Sequence, residues 1–101
     1  MIRGYPEFTG FEWDDGNRDK NLKHRVQAWE CEQVFFNAPL VILDDPKHSF
    51  AENRLAAFGR TDAGRLLTVI FTRRYAKIRV ISARDMNRKE RQYYEDAGQE
   101  E

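Results

Sequence analysis

The chain is poor in the residues that most often announce a chemistry. It has one cysteine, three prolines, six glycines and no surplus of either charge: seventeen Lys and Arg balance seventeen Asp and Glu over 101 residues. A single cysteine excludes an internal disulfide framework and a Cys-based zinc site. Cys31 reads instead as a small buried hydrophobe in a reduced compartment. No apolar run approaches the roughly 18 residues of a spanning helix, and no signal-peptide hydrophobic region follows Met1. The expectation is a soluble, cytoplasmic protein without membrane contact. No Gly-rich phosphate loop and no Ser-His-Asp pattern is present. Zero net charge removes any long-range pull toward nucleic acid.

What is there fits one domain over residues 1–101, with residues 1–10 as an extended lead-in and 98–101 as an acidic tail. A chain of 12.0 kDa hides roughly 65% of its extended surface on folding, enough for one modest core. The charge is unevenly spread. From Arg54 to Arg91 the only acidic residues are Asp62, Asp85 and Glu90, among many Lys and Arg. Acidic residues gather near the start and from Glu95 to Glu101. A basic second half suits contact with phosphate better than the total implies.

Periodicity gives the elements. Phe11-Glu12-Trp13-Asp14 alternates as a short strand. Asp15 or Asn17 is expected to cap a helix to about Arg25, mostly solvent-facing because Leu22 is its only strongly apolar residue. A second helix is expected from Trp29 to Phe36, ended by Asn37 and Pro39. The period then becomes two: strands at Leu40–Leu43, Arg54–Arg60, Arg65–Arg73 and Ile78–Arg84, separated by Asp44–His48, Thr61–Gly64 and Arg74–Ala76. Asp85 is the expected N-cap of a last helix from Met86 to about Ala97. The fold class is α+β: an antiparallel sheet of about four strands plus a short N-terminal strand, two N-terminal helices and one C-terminal helix.

If Arg60 faces Arg65 and Thr72 faces Ile78, the strands sort into two faces. Phe58, Leu67, Val69, Phe71, Ile81 and Ala83 form a dry face beneath the first two helices. Leu55, Leu66, Thr68, Ile70, Thr72, Val80, Ser82 and Arg84 form a mixed face, for a polar site or the last helix. A one-residue bulge would invert this sorting.

RNA cleavage without a metal needs a proton removed from the 2′-hydroxyl, charge stabilised on phosphoryl oxygens and a proton returned to the leaving oxygen. Arginine suits the second task, because its planar fork matches two phosphate oxygens. Arg84, Arg79 and Arg60 are the catalytic candidates, Arg84 first because it lies beside a helix start. His48, in a loop with Asp45, Lys47 and Glu52, is the candidate proton-transfer group. Arg65, Thr72, Arg74, Ser82 and Tyr94 are the candidate substrate contacts. The competing reading pairs Arg79 or Arg84 with Glu90 or another carboxylate. His24 reads as a helix-end cation. Asp14-Asp15 and Asp44-Asp45 read as turns and caps; no metal or cofactor is called for.

Taken together, these residues resemble a family. Phe11-Glu12-Trp13-Asp14, Asn21-Leu22-Lys23-His24, Glu52-Asn53-Arg54, Gly59-Arg60, Arg65–Val69, Ile78–Arg84 and Glu90-Arg91 with Tyr94 are similar to the BrnT toxins of bacterial type II toxin–antitoxin systems. The resemblance spans about Phe11 to Tyr94. It implies a RelE-like fold and a ribonuclease that arrests translation. It also implies a BrnA-like ribbon-helix-helix antitoxin, through which alone operator DNA would be contacted in autorepression. The alternative is a non-catalytic binding module or corepressor partner on the same fold. The chain departs from the family where a glycine usually follows Lys-His: here Arg25 stands, which is expected to lengthen or reshape the end of the first helix.

Overall fold

A computed structural model describes residues 8–44 and 53–99. Alternating aliphatic stretches form five strands: β1 (Gly10–Glu12), β2 (Val41–Asp44), β3 (Arg54–Arg60), β4 (Leu66–Arg74) and β5 (Lys77–Asp85). They make one sheet in the order β1-β5-β4-β3-β2. β2 to β5 are an antiparallel meander, while β1 lies parallel to β5, pairing Gly10 with Lys77 and Glu12 with Arg79. The meander and the short N-terminal strand are as expected; the sheet is mixed through β1.

Three helices complete the chain: α1 (Asp15–Leu22), α2 (Ala28–Val34) and α3 (Arg88–Gln99). Asp14, rather than Asp15 or Asn17, caps α1. Its carboxylate accepts from the Asn17 amide at 3.1 Å, and the Asn17 side chain accepts the Asp14 N–H at 2.7 Å. Asn87, rather than Asp85, caps α3, exchanging the same two bonds with Glu90. Asp85 is drawn off by Arg65 and ends β5.

The first helix is not lengthened by the loss of glycine. The amide of Arg25 donates to Leu22 and that of Val26 to Asn21, the paired bonds of a Schellman stop. Arg25 holds the left-handed position itself, at φ 59.

The sheet is packed on both faces. α2 and the turn before it, rather than α1 and α2 together, cover the larger core: Val26, Cys31, Val34, Phe35, Ala57, Leu67, Val69, Phe71, Ile78, Val80 and Ala83 are buried there, with the Phe35 and Phe71 rings edge-on at 5.2 Å. Each large side chain so buried contributes about 1.5–3 kcal/mol. On the other face Ala56, Phe58, Met86 and Tyr94 pack with Val41, Leu66 and Ile70 under α3.

This corrects the expected sorting in four places. Phe58 lies under α3, Leu55 packs against the main core, Val80 belongs to that core, and Ile81 does not. Three register facts are responsible. Thr72 pairs with Arg79 instead of Ile78, which exchanges the faces of the first half of β5. Arg60 pairs with Leu66 instead of Arg65, which moves β3 by one residue and so exchanges its faces. Along β5, Phe71 pairs with Val80 but Ile70 pairs with Ser82, so Ile81 is the extra residue of a bulge. Before it Ile78 and Val80 face the main core; after it Ala83 does.

Candidate functional site

α3 covers only part of the second face. Beyond its reach, four neighbouring strands contribute one residue each to a row: Glu12 of β1, Arg79 of β5, Thr72 of β4 and Arg54 of β3. Strands lie about 4.8 Å apart, so the backbones of Arg79 and Arg54 are roughly 10 Å from each other. Two long guanidinium side chains can therefore converge on one small anion. Arg74 lies two residues beyond Thr72, on the same face. β1 stops at Glu12, leaving the edge of β5 to α1. The Asn17 side chain donates to the Glu12 carbonyl at 3.0 Å and the Val80 carbonyl at 2.8 Å. That placement brings the first turns of α1 over the row. The result is a cavity of about 300 Å³ lined by Gly16, Asn17, Lys20, Arg54, Arg74, Arg79, Val80 and Ile81.

Among the described residues its lining carries four cations and no carboxylate. Arg79 is anchored from behind, its guanidinium donating to Glu12 at 2.9 Å and pairing with Asp14 at 2.8 Å. The hydrogen bond to Asp14 is the main reason its pKa is raised. Asp14 is held below the usual carboxylate range, first by the Asn17 amide and then by Arg79. Arg74 approaches Glu12 only to 4.0 Å. Arg54 differs in kind: its Nε is buried with no hydrogen-bond partner among the described residues. Among the described residues neither Arg54 nor Lys20 has a carboxylate within ion-pair distance. A buried guanidinium nitrogen without an acceptor is costly. A phosphate or carboxylate entering the cavity would offset the charge of the guanidinium that lines it.

The other candidates from the sequence are dispersed. Arg84 is gripped bidentately by Glu90, at 2.6 and 2.8 Å. Glu90 also accepts from Thr68 and from the Asn87 amide. The guanidinium of Arg84 is the chief cause of its lowered pKa. The competing ion-pair reading therefore describes Arg84 with Glu90, and Arg79 with Glu12 and Asp14. Arg65 is likewise engaged, with Asp85 at 2.7 Å, Glu30 at 3.2 Å and the Arg25 carbonyl at 2.8 Å. Arg60 is exposed at the far end of β3, six residues from Arg54 and so about 20 Å away along the strand. Arg84, Arg79 and Arg60 do not converge on one pocket, because the strand ends that carry Arg60 and Arg79 are opposite ends of the sheet.

Among the substrate candidates, Arg74 lines the cavity. Thr72 is buried in the row beneath it, and its hydroxyl donates to the Asn53 carbonyl at 3.1 Å. Ser82 pairs with Ile70 on the same face, nearer α3. Tyr94 is buried, its hydroxyl donating to the Pro39 carbonyl at 2.7 Å, which places it in the smaller core. His48, with Asp45, Lys47 and Glu52, lies outside the described residues. Cys31 is fully buried, and desolvation pushes its thiol up to about 12, so it is no nucleophile at neutral pH. Sequence reasoning missed Lys20 and Arg54. Arg54 begins its strand, but only the β3–β4–β5 register brings it level with Arg79. Lys20 follows Asp15 on a polar helix whose position over β5 depends on the Asn17 bonds.

No curated protein sequence matches this chain. A family described as "Ribonuclease toxin, BrnT, of type II toxin-antitoxin system" matches residues 13–90, which include every cation of the cavity. On that match the chain belongs to the BrnT family of ribonuclease toxins.

Proposed function

We propose that this chain is itself an active, metal-independent endoribonuclease, with the scissile phosphate held in the cavity between α1 and the β3–β4–β5 row. The observation that carries the reading is the Nε of Arg54, buried and without a partner among the described residues, beside three further cations. Arg54 and Arg79 would clamp the phosphoryl oxygens as charge develops, Arg79 pre-aimed by Glu12 and Asp14. Lys20 and Arg74 would neutralise the flanking phosphates. Arg84 and Arg60 are left out of the clamp, one engaged by Glu90 and the other at the distant strand end. His48 keeps the proton-transfer role on its imidazole chemistry alone. In the cell, cleavage would arrest translation until a BrnA-like ribbon-helix-helix antitoxin binds. The complex, through the antitoxin, would occupy operator DNA.

The test is cleavage of a mixed RNA by purified chain in EDTA, alongside growth after induction of the chain without an antitoxin. Cleavage should persist in EDTA, and Arg54→Ala should slow it by about 10²–10³, the usual loss for one preorganised charge-stabilising donor. Wild-type rates in the Arg54→Ala variant would reject the cavity as the site. A second reading is favoured by the internal pairing of Arg65, Arg79 and Arg84: a non-catalytic partner or corepressor that binds RNA or antitoxin without cutting. Binding with no new RNA ends would select it.

A further inference from the structure

The β4–β5 hairpin ends in a two-residue loop, Tyr75-Ala76, between the paired Arg74 and Lys77. Tyr75 takes the left-handed region at φ 57. Such turns favour Gly, Asn or Asp there, and a bulky side chain at positive φ is uncommon and strained. The strain gains nothing inside the molecule, because Tyr75 is 94% exposed. It does aim an aromatic ring outward from a rigid tip. The loop is braced by Arg73, whose Nε donates to the Tyr75 carbonyl at 2.7 Å. Arg73, Arg74 and Lys77 flank the ring in sequence, and Arg74 reaches into the cationic cavity. On the other side a depression of about 460 Å³ is lined by Asn53, Thr72, Arg73 and Tyr75. Thr72 belongs to the same row as Arg54 and Arg79. An exposed aromatic among cations, one residue from Arg74 in the wall of a phosphate-sized cavity, is the arrangement by which single-stranded nucleic acid is held: stacking on the ring, charge along the backbone.

We propose that Tyr75 is a stacking platform for an unpaired base of single-stranded RNA, adjacent to the phosphate bound in the cavity. This rests on the ribonuclease reading for its substrate class. Tyr75 acts as a positioning residue: it sets where along the strand the phosphate lies and takes no part in the chemistry. Stacking tolerates any base, so the platform contributes affinity and register with little sequence preference.

The test uses the full chain and a short 2′-O-methyl RNA carrying 2-aminopurine, which cannot be cut at the 2′-hydroxyl and loses fluorescence on stacking. Three proteins are compared: wild type, Tyr75→Phe and Tyr75→Asn. Asparagine accepts the left-handed backbone, so Tyr75→Asn should melt no lower than wild type while lacking the ring. Tyr75→Phe should keep both affinity and quenching. Tyr75→Asn should bind about 5- to 150-fold more weakly, lose the quenching and keep the salt slope, since no charge is removed. With cleavable RNA its KM should rise more than its kcat falls. Equal affinity and quenching in wild type and Tyr75→Asn would overturn the proposal. So would a Tyr75→Asn chain that loses only binding to its antitoxin, which would make the tip a protein contact. Tyr75-dependent quenching with no cleavage of ordinary RNA would sink the ribonuclease reading and leave the platform standing. Cleavage unaffected by Tyr75→Asn would do the reverse.

Discussion

Arg25 shows how one backbone position can outrank the side chain that occupies it. The Schellman bonds at the end of α1 require a left-handed residue, and the family's usual glycine is absent. The helix ends there anyway, because Val26 is fully buried and fixes where the chain must turn. Arginine at φ 59 carries about 1–2 kcal/mol of strain, against which glycine's extra freedom in the unfolded state weighs roughly 0.5–1 kcal/mol. Arg25→Gly should therefore raise stability by about 0.5–1 kcal/mol. The check is a higher urea midpoint with an unchanged m-value. The residue was legible as an anomaly in the sequence; its outcome was not, since it depends on burial one residue later. Arg54 was opaque for a different reason. Nothing within five residues of it hints that its neighbours across the sheet are Thr72 and then Arg79.

Elements were easier to read than the contacts between them. All strands of the meander and all three helices were evident from period and punctuation, with ends displaced by up to three residues. Which face each strand buries was misread for β3 and for the first half of β5, because hairpin register and bulges are set by packing. The packing of α2 on β3 is one such constraint. A Cβ added at Gly59 would fall 2.6 Å from Val34 Cγ1 and 3.1 Å from the Val34 carbonyl oxygen. Gly59→Ala should cost about 1–3 kcal/mol by forcing the helix off the strand, seen as a lowered Tm. The attachment of α3 is a second. Glu90 joins Arg84, Thr68 and the Asn87 cap, so Glu90→Ala should cost about 2 kcal/mol. The carboxyl of Glu90 has a lower pKa folded than unfolded. Its stabilisation is thus complete above the unfolded value, about 4.3, and fades as pH falls through the lower folded one. Melting from pH 7 to 3 should show wild type losing its advantage over Glu90→Gln only below about pH 4.5.

At the scale of the whole molecule, the balance of seventeen against seventeen charges conceals a local division. Carboxylates neutralise Arg65 and Arg84 and prop Arg79, while Lys20 and Arg54 face the cavity without one among the described residues. RNA affinity should then come from few contacts. With about three phosphates neutralised, log affinity should fall with log salt at a slope near −2, and Arg54→Ala should reduce that slope by about 0.7. A slope near zero would mean that the cavity does not meet the backbone. The net charge was visible from composition, and so was the basic second half. Which cations remain available was not, because it is decided by pairs such as Arg65–Glu30, far apart in sequence and adjacent only after folding.

The extra residue at Ile81 has a consequence of its own. Phe71 faces Val80 and Ile70 faces Ser82, so removing Ile81 would join two stretches already in step and leave every neighbour on its present side. Such a shortened chain should still fold and melt cooperatively. It would lose the bulge, a feature that bends and twists a strand, and with it the Ile81 side chain from the cavity wall. One deletion could thus part the architecture from the toxin's proposed chemistry.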